Sequence, residues 1–269
     1  MIIDFHTHIF PDKIANKTVD ALSRGASIPS HTDGTFKGLV SSMEKNGIDI
    51  SVNLPVITRT SQLESVNNFA KDLNKKVYTG SRIISFAGMH PDIYDCEAAL
   101  YDIKSRGFLG IKLHPDYQGT FIDDERYVRI LKTAKELDLI TLTHAGFDGA
   151  YVGQPIKCTP ERVFRALDRI GGYDKLVLAH MGANELFSDF YSILAGERIF
   201  IDTSYVLPFI GRDMLEKILV KHGDDRILFA TDSPWQNQGV MVNLLKGYIC
   251  DSSVENKIFC ENAKKLLNI

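Results

Sequence analysis

Eight short runs rich in apolar and β-branched residues recur along the chain, and segments with helical spacing separate them. The runs cover residues 1–8, 47–56, 82–90, 108–114, 139–144, 175–180, 198–203 and 226–232. Strict alternation of strands and helices predicts a parallel sheet, because each helix returns the chain to the edge where the next strand begins. Eight such units favour a closed α/β barrel of the (β/α)8 type, the TIM barrel, over an open sheet.

The intervening segments have the apolar spacing of helices that pack one face on a sheet. They are predicted at 36–46, 62–75, 96–105, 124–137, 160–170, 185–194 and 212–222, with two more at 240–248 and 254–267. The segment from Pro160 is the clearest, because Thr159 can cap it and Gly171 can end it. One such barrel needs about 250 residues. The 269 residues therefore predict a single domain, 1–269.

The longest stretch without a predicted element is 10–35, directly after the first strand. It contains Pro11, Gly25, Pro29 and Gly34, which favour irregular structure. Loops that follow strands build the functional face of such a barrel. The stretch is therefore predicted to be either a lid over the end of the first strand or surface decoration.

Composition and charge limit which classes of function this chain can have. Hydrophobic residues make up 44% of the chain and charged residues 24%, as is typical of a soluble globular protein. There is neither a secretion signal nor an apolar run of roughly 18 residues, so a cytoplasmic protein without a membrane segment is expected. The net charge of −3 without a long basic run disfavours nucleic acid as a partner. A small-molecule substrate is the expected partner, and a homodimer is left open. The four cysteines lack metal-ligand spacing and are predicted to be reduced thiols.

Six of the eight histidines fall at the ends of predicted strands: His6, His8, His90, His114, His144 and His180. The ends of barrel strands converge on one face, so residues far apart in sequence can share a site there. The eighth strand ends at Asp232. Histidines with one aspartate suit Zn²⁺, Mn²⁺, Fe²⁺ or Co²⁺ and poorly suit Ca²⁺ or Cu⁺.

Not every histidine is assigned to this site. Period-2 alternation predicts that Asp4, His6 and His8 face the same side of the first strand. His90, taken alone, is expected to be a core or rim residue. The remaining two histidines, His31 and His222, are predicted to lie on the surface because they are away from the strand ends.

Taken together, these motifs resemble the amidohydrolase superfamily of metal-dependent hydrolases. The matching features are His-x-His on the first strand, a histidine closing the fifth, another closing the sixth and an aspartate on the eighth. The segments Gly-Ile-Lys-Leu-His-Pro at 110–115 and Thr-Asp-Ser-Pro-Trp at 231–235 are similar to the amidohydrolase-related branch. That branch also contains aminocarboxymuconate-semialdehyde decarboxylase and related non-oxidative decarboxylases. The resemblance covers residues 1 to about 235.

By position, the resemblance implies one divalent metal held by His6, His8, His144 and Asp232, with His180 acting in proton transfer. Zn²⁺ is the first expectation, with Mn²⁺, Fe²⁺ and Co²⁺ as alternatives. The chemistry of the residues agrees with these roles. Asp232 beside a metal-bound water can accept its proton and return it to a leaving group, and His180 can stabilise an oxyanion or relay protons.

The fourth strand leaves alternatives open. Lys112 and His114 are two residues apart and face the same way. In two-metal relatives a carboxylated lysine occupies this strand, but a plain ammonium that binds a substrate carboxylate, or packs beside Asp4, is favoured here. One metal is therefore expected. Residues predicted to bind substrate are His114, Lys112 and Trp235, and further pocket candidates by position are Arg59, Tyr117, Gln118, Phe147 and Tyr205.

Several functional classes remain. The leading hypothesis is metal-dependent hydrolysis of a small amide, lactone or ester. The alternative is a metal-dependent non-oxidative decarboxylase of a small carboxylated substrate, which is ranked second because the chain is short for that group. A non-catalytic metal-binding barrel and a nuclease are the other hypotheses.

Overall fold

In the computed structural model, which describes residues 1–76 and 80–269, every predicted β-rich run contains a strand. The third run is divided into two short strands on either side of Phe86. The strands are β1 (Ile3–Thr7), β2 (Ile50–Asn53), β3 (Arg82–Ser85), β4 (Ala87–Gly88), β5 (Gly110–Leu113), β6 (Ile140–Thr143), β7 (Leu176–Leu178), β8 (Phe200–Asp202) and β9 (Ile227–Leu228).

The strands pair in the sequential order of a barrel. One sheet has the order β1-β2-β3 and the other the order β4-β5-β6-β7-β8-β9, and all pairings are parallel. The first strand is linked to the segment that directly follows β9 by hydrogen bonds from Phe5 N–H to Phe229 O (2.9 Å) and from Asp232 N–H to His6 O (2.8 Å). The predicted (β/α)8 fold class is confirmed.

Helices connect the strands largely where helical spacing is predicted. They are α1 (Ala15–Ala26), α2 (Phe36–Asn46), α3 (Leu63–Asn74), α4 (Cys96–Ser105), α5 (Glu125–Glu136), α6 (Pro160–Ile170), α7 (Phe187–Ile193), α8 (Leu207–Ile210), α9 (Arg212–His222), α10 (Gln238–Tyr248), α11 (Ser252–Asn256) and α12 (Asn262–Leu267). A π-helical turn, Lys257–Glu261, joins the last two. Among the described residues, no helix is long and apolar enough to cross a membrane.

Two expectations about individual segments are wrong. The stretch 10–35 contains a helix, α1, which periodicity missed because only Ala15 and Val19 of this helix are buried and its first residue lacks a side-chain cap. His222 is buried and not on the surface. It follows Leu215 and Ile218 on the buried face of α9, and its ring lies 5.5 Å from that of Phe190.

The apolar core has two parts. One cluster contains strand residues such as Phe5, Val52, Phe86, Leu142 and Leu228, together with residues of the C-terminal helix. The other contains the buried helix faces together with the strand residues they cover. Close packing on both sides of the strands makes their carboxyl ends a rigid support for side chains.

Candidate metal centre

Three side chains from the first strand and from the end of the eighth predicted run come together above the barrel core. The Nε2 atom of His8 lies 3.1 Å from Oδ1 of Asp232, and Nε2 of His6 lies 3.4 Å from the same oxygen. The three donor atoms are mutually within 4.8 Å. His6 and Asp232 are buried. Two nitrogens and one carboxylate oxygen form a ligand set that suits a divalent transition metal.

The remaining ring nitrogens of the two histidines are held by acceptors. Nδ1 of His6 donates to Oδ2 of Asp202 (2.9 Å), and Nδ1 of His8 donates to the carbonyl of Leu54 (2.9 Å). Because each Nδ1 carries the proton, each Nε2 offers a lone pair toward Asp232. The residues present therefore fit a bound metal, with their orientation set by the protein before any metal arrives.

Asp202, at the end of β8, is a residue that sequence reasoning missed. It is fully buried, and its Oδ1 accepts hydrogen bonds from His180 N–H (2.9 Å), Ser204 N–H (3.0 Å) and Ser204 Oγ (2.5 Å). One carboxylate thus positions both His6 and His180. The sequence did contain a signal for Asp202, because residues 198–203 form a predicted strand with an aspartate near its end, as the eighth predicted strand does.

His180 and His144 are joined in a short chain of hydrogen bonds. Nδ1 of His180 lies 3.0 Å from the carbonyl of Ser204, and Nε2 of His180 lies 3.0 Å from Nδ1 of His144. Because a carbonyl only accepts, His180 carries its proton on Nδ1 and its Nε2 accepts from His144. The Nε2 of His144 is then a lone-pair nitrogen, and it is buried with no hydrogen-bond partner among the described residues.

His144 belongs to a second group of donors next to the first. Together with His114 and Asp148 it offers donor atoms that lie within 4.8 Å of one another. The His114 and His144 rings stack at 4.4 Å, and Oδ2 of buried Asp116, also without a partner among the described side chains, lies 3.9 Å from Nε2 of His144. The predicted ligands thus fall into two neighbouring groups, with His144 outside the group of His6, His8 and Asp232.

Lys112 is a buried cation beside the first group. Its Nζ lies 3.0 Å from Nε2 of His6, and burial lowers the pKa of Lys112 to about 8.

Lys112 does not pack beside Asp4 as one alternative proposed. The Asp4 carboxylate instead accepts from Thr231 Oγ1 (2.6 Å) and Gln238 Nε2 (2.8 Å). His6, by contrast, contacts Asp202 and Lys112.

The protonation states favour metal binding near neutral pH. Burial opposes ionisation of Asp232, but His6 and His8 outweigh it, and the pKa of Asp232 lies below its ordinary value. Burial lowers the pKa of His180 to about 4 and that of His144 to about 3. An anionic carboxylate among neutral imidazoles is the form in which these groups ligate metals.

A cleft of about 720 Å³ lies above the centre. All of the proposed metal ligands line it, as do His180 and six predicted or candidate substrate residues: Lys112, His114, Tyr117, Phe147, Tyr205 and Trp235. Asp148, which was not among the predicted residues, also lines the cleft. Arg59 and Gln118 do not line the cleft. Arg59 is exposed, and the Gln118 amide donates to the carbonyls of Ile57 (2.7 Å) and Met89 (2.6 Å).

His90 also lies away from the cleft lining, as expected of a core or rim residue. It is buried, and its Nδ1 accepts from the N–H of Asp92 (3.1 Å). The stretch 10–35, in contrast, contributes a wall of the cleft through α1, which packs against the short helical turn Gly149–Tyr151. This position is the one that the lid hypothesis predicts.

Comparisons with known proteins agree with this architecture. The model of the family described as Amidohydrolase matches residues 3–269. No curated protein gives a significant sequence match. Among solved structures, 2,6-dihydroxybenzoate decarboxylase from Rhizobium is similar with a TM-score of 0.69 and 18% identity, over 99% of this chain and 98% of that chain.

Two further structures are similar over the whole chain. The 5-carboxyvanillate decarboxylase of Novosphingobium aromaticivorans DSM 12444, complexed with manganese and 4-hydroxy-3-methoxy-5-nitrobenzoic acid, gives a TM-score of 0.74 at 15% identity, covering 100% and 96% of the two chains. A putative 2-pyrone-4,6-dicarboxylic acid hydrolase from Pseudomonas putida gives a TM-score of 0.66 at 15% identity, covering 99% and 97%. This coverage overturns the expectation that the chain is too short for the decarboxylase group.

Proposed function

The chain belongs to the amidohydrolase family, and from that premise we propose that it is a metal-dependent decarboxylase of a small carboxylated substrate. The observation that carries the proposal is the buried group of His6, His8 and Asp232 with the Lys112 ammonium beside it. Such a centre can hold a carboxylate substrate and exchange a proton with it. Two of the three structural neighbours described above are decarboxylases, which supports decarboxylation ahead of hydrolysis.

His6, His8 and Asp232 would hold the metal, and His144 is a further nitrogen donor in the neighbouring group. When bound, a divalent metal supplies a Lewis acid that orients and polarises an oxygen of the substrate. Both zinc and manganese suit these ligands, and the manganese in one neighbour makes Mn²⁺ an equal candidate. Lys112 would donate a charge-assisted hydrogen bond to the substrate carboxylate.

Decarboxylation breaks the bond between the carboxylate carbon and its neighbour, and the electron pair left on that neighbour must take up a proton. Asp232 is ionised, so it must first accept a proton from a substrate hydroxyl or a water and then deliver it to the carbon. His180 carries its own proton toward Ser204, and its Nε2 accepts from Nδ1 of His144, so a proton taken up at the unpartnered Nε2 of His144 can be relayed through this pair.

The test is a screen of carboxylated phenols and related unsaturated acids with protein loaded with Zn²⁺ or Mn²⁺. We expect carbon dioxide release that depends on the metal and stops after chelation. Carbon dioxide release that persists in metal-free protein, or none from any acid in the screen, would contradict the proposal.

Hydrolysis of a small amide, lactone or ester is the second candidate. It is favoured by the ionised Asp232, which can accept a proton from an attacking water, and by the hydrolase among the structural neighbours. Reaction in ¹⁸O-labelled water separates the two candidates, because only hydrolysis places the label in the product acid. Adding an oligonucleotide to the same screen tests the nuclease hypothesis.

A further inference from the structure

The cleft above the metal centre has two chemically different halves. One half carries the ionisable groups around His6 and Asp232. The other is walled by apolar side chains from two helices, Ile14 and Leu22 at α1 and Val66 and Phe69 of α3. A ligand that fills the cleft must therefore match a polar end and an apolar end.

Helix α1 and the residue before it present an apolar face to the cleft. Ile14, Thr18, Leu22 and Ala26 all line the cleft, and their spacing of four places them on one side of the helix. Ala15 and Val19 are buried next to this row, about 100° around the helix. The row that lines the cleft is not fully buried: Leu22 is partly exposed and Ile14 is 50% exposed, so apolar surface is available to a ligand.

The charges in the cleft lie near one end. Among the described residues that line it, Lys112 is the only lysine and there is no arginine. Lys112 is at the metal centre, 3.0 Å from Nε2 of His6. Nothing of positive charge lines the half formed by α1 and α3, so a second anionic group at that end of a ligand would be desolvated without a partner.

We propose that the substrate has a single anionic group, held at the metal centre, and a sizeable apolar body that lies between α1 and α3. This inference rests on the proposed function, because it takes the metal centre as the site of the carboxylate. A cleft of about 720 Å³ is in the range that holds drug-sized ligands and exceeds the needs of a bare benzoate. Leu22 and Ile14 are then residues that determine specificity.

The chain offers a direct reporter of binding. Trp235 is its only tryptophan, and this residue lines the cleft. Benzoate and 4-methyl-, 4-propyl- and 4-pentylbenzoate can therefore be titrated into Zn²⁺-loaded protein while tryptophan fluorescence is followed. We expect the dissociation constant to fall about three- to fourfold for each added methylene, as burial of apolar surface predicts.

Variants locate the apolar body. In Leu22→Gln, the dissociation constant of 4-pentylbenzoate should rise roughly tenfold, whereas that of benzoate should stay unchanged. Ile14→Gln changes a more exposed position and should have the same effect. Ala21→Gln is the matched control, because it places the same side chain on the exposed side of α1. Circular dichroism establishes that each variant is folded, and the Ile14 variant preserves the test if Leu22→Gln unfolds.

The outcomes separate this inference from the proposed function. If benzoate binds only in the presence of metal but alkyl length has no effect, or if Ala21→Gln acts like Leu22→Gln, the apolar-body inference is overturned while the metal centre stands. If the gain with alkyl length persists but metal makes no difference to benzoate, the apolar site between α1 and α3 stands, whereas the placement of the anionic group at the metal and the proposed function fail. Absence of binding by every probe overturns both.

Discussion

Two of the proposed catalytic residues have left-handed backbone conformations, with φ of 67° at Asp232 and 61° at His180. The Asp232 backbone is held by its N–H bond to His6 O and by the bond from Trp235 N–H to Asp232 O, both 2.8 Å. Asparagine adopts this conformation more readily than most residues. Substitution by asparagine at either position therefore tests the chemistry of the side chain with little backbone strain.

Asp232→Asn should nearly abolish turnover. The amide keeps the shape of the carboxylate, but it cannot accept and return a proton. With metal saturating, the melting temperature should stay within a few degrees of wild type, because such a cleft substitution changes the free energy of unfolding by about 1 kcal/mol. Activity and thermal unfolding are measured together. An active variant refutes the proton-transfer role, and an unfolded one identifies Asp232 as structural.

His180→Asn should lower kcat by roughly 10² to 10⁴, the range for a positioned acid–base group, while metal content stays near wild type. The reason is that Nε2 of His180 bonds to His144 and not to the group of His6, His8 and Asp232. Steady-state kinetics and elemental analysis of the same preparation provide the test. Loss of the metal would make His180 a ligand.

At the scale of elements, α9 ends on a titratable residue that lies outside the cleft. Nδ1 of His222 accepts from Gly196 N–H (3.3 Å), and burial lowers the pKa of His222 to about 4 from an ordinary 6.5. Between pH 6.5 and 4 the unfolded chain therefore binds a proton at this position that the folded protein does not. Stability conferred by neutral His222 is present above this window and is lost as the pH falls through it.

Replacing His222 should flatten the acid side of the stability profile. In His222→Asn, the loss of unfolding free energy between pH 7 and pH 4 should be smaller than in wild type by about 3 kcal/mol, because asparagine does not titrate. Urea unfolding of both proteins at several pH values measures the difference. The same substitution at exposed His31 is the control and should reproduce the wild-type profile. Parallel wild-type and His222→Asn curves would contradict the assignment.

At the scale of the whole molecule, eight strand ends bring two groups of donors into one cleft, and the number of metals depends on which group binds. We predict close to one divalent metal per chain. Oδ1 of Asp232 is within reach of both His6 and His8, whereas an ammonium and not a carboxylate lies beside His6 at Lys112. Elemental analysis after loading with zinc or manganese measures the ratio. A reproducible value near two, or a carboxylated Lys112, would overturn the single-metal prediction.

The sequence by itself determined the architecture and most of the ionisable residues that line the cleft. Alternating periodicities are local properties, so eight strands and the helices between them could be read from short windows. The same locality placed His6, His8 and Asp232 at strand ends, and convergence of those ends in a barrel brought them together. The family resemblance added the metal and the role proposed for His180.

Only the tertiary structure decided how these residues are arranged around one another. The bond between His6 and Asp202 joins residues 196 positions apart, and no local pattern encodes such a pair. Asp4 bonds to Thr231 and Gln238, which are 227 and 234 positions away, and packing on the end of α9 buries His222. The separation of His144 from the first donor group and the apolar stripe of α1 also depend on contacts between distant segments. Periodicity specifies which face a residue occupies, whereas its partners are set by long-range packing and hydrogen bonding.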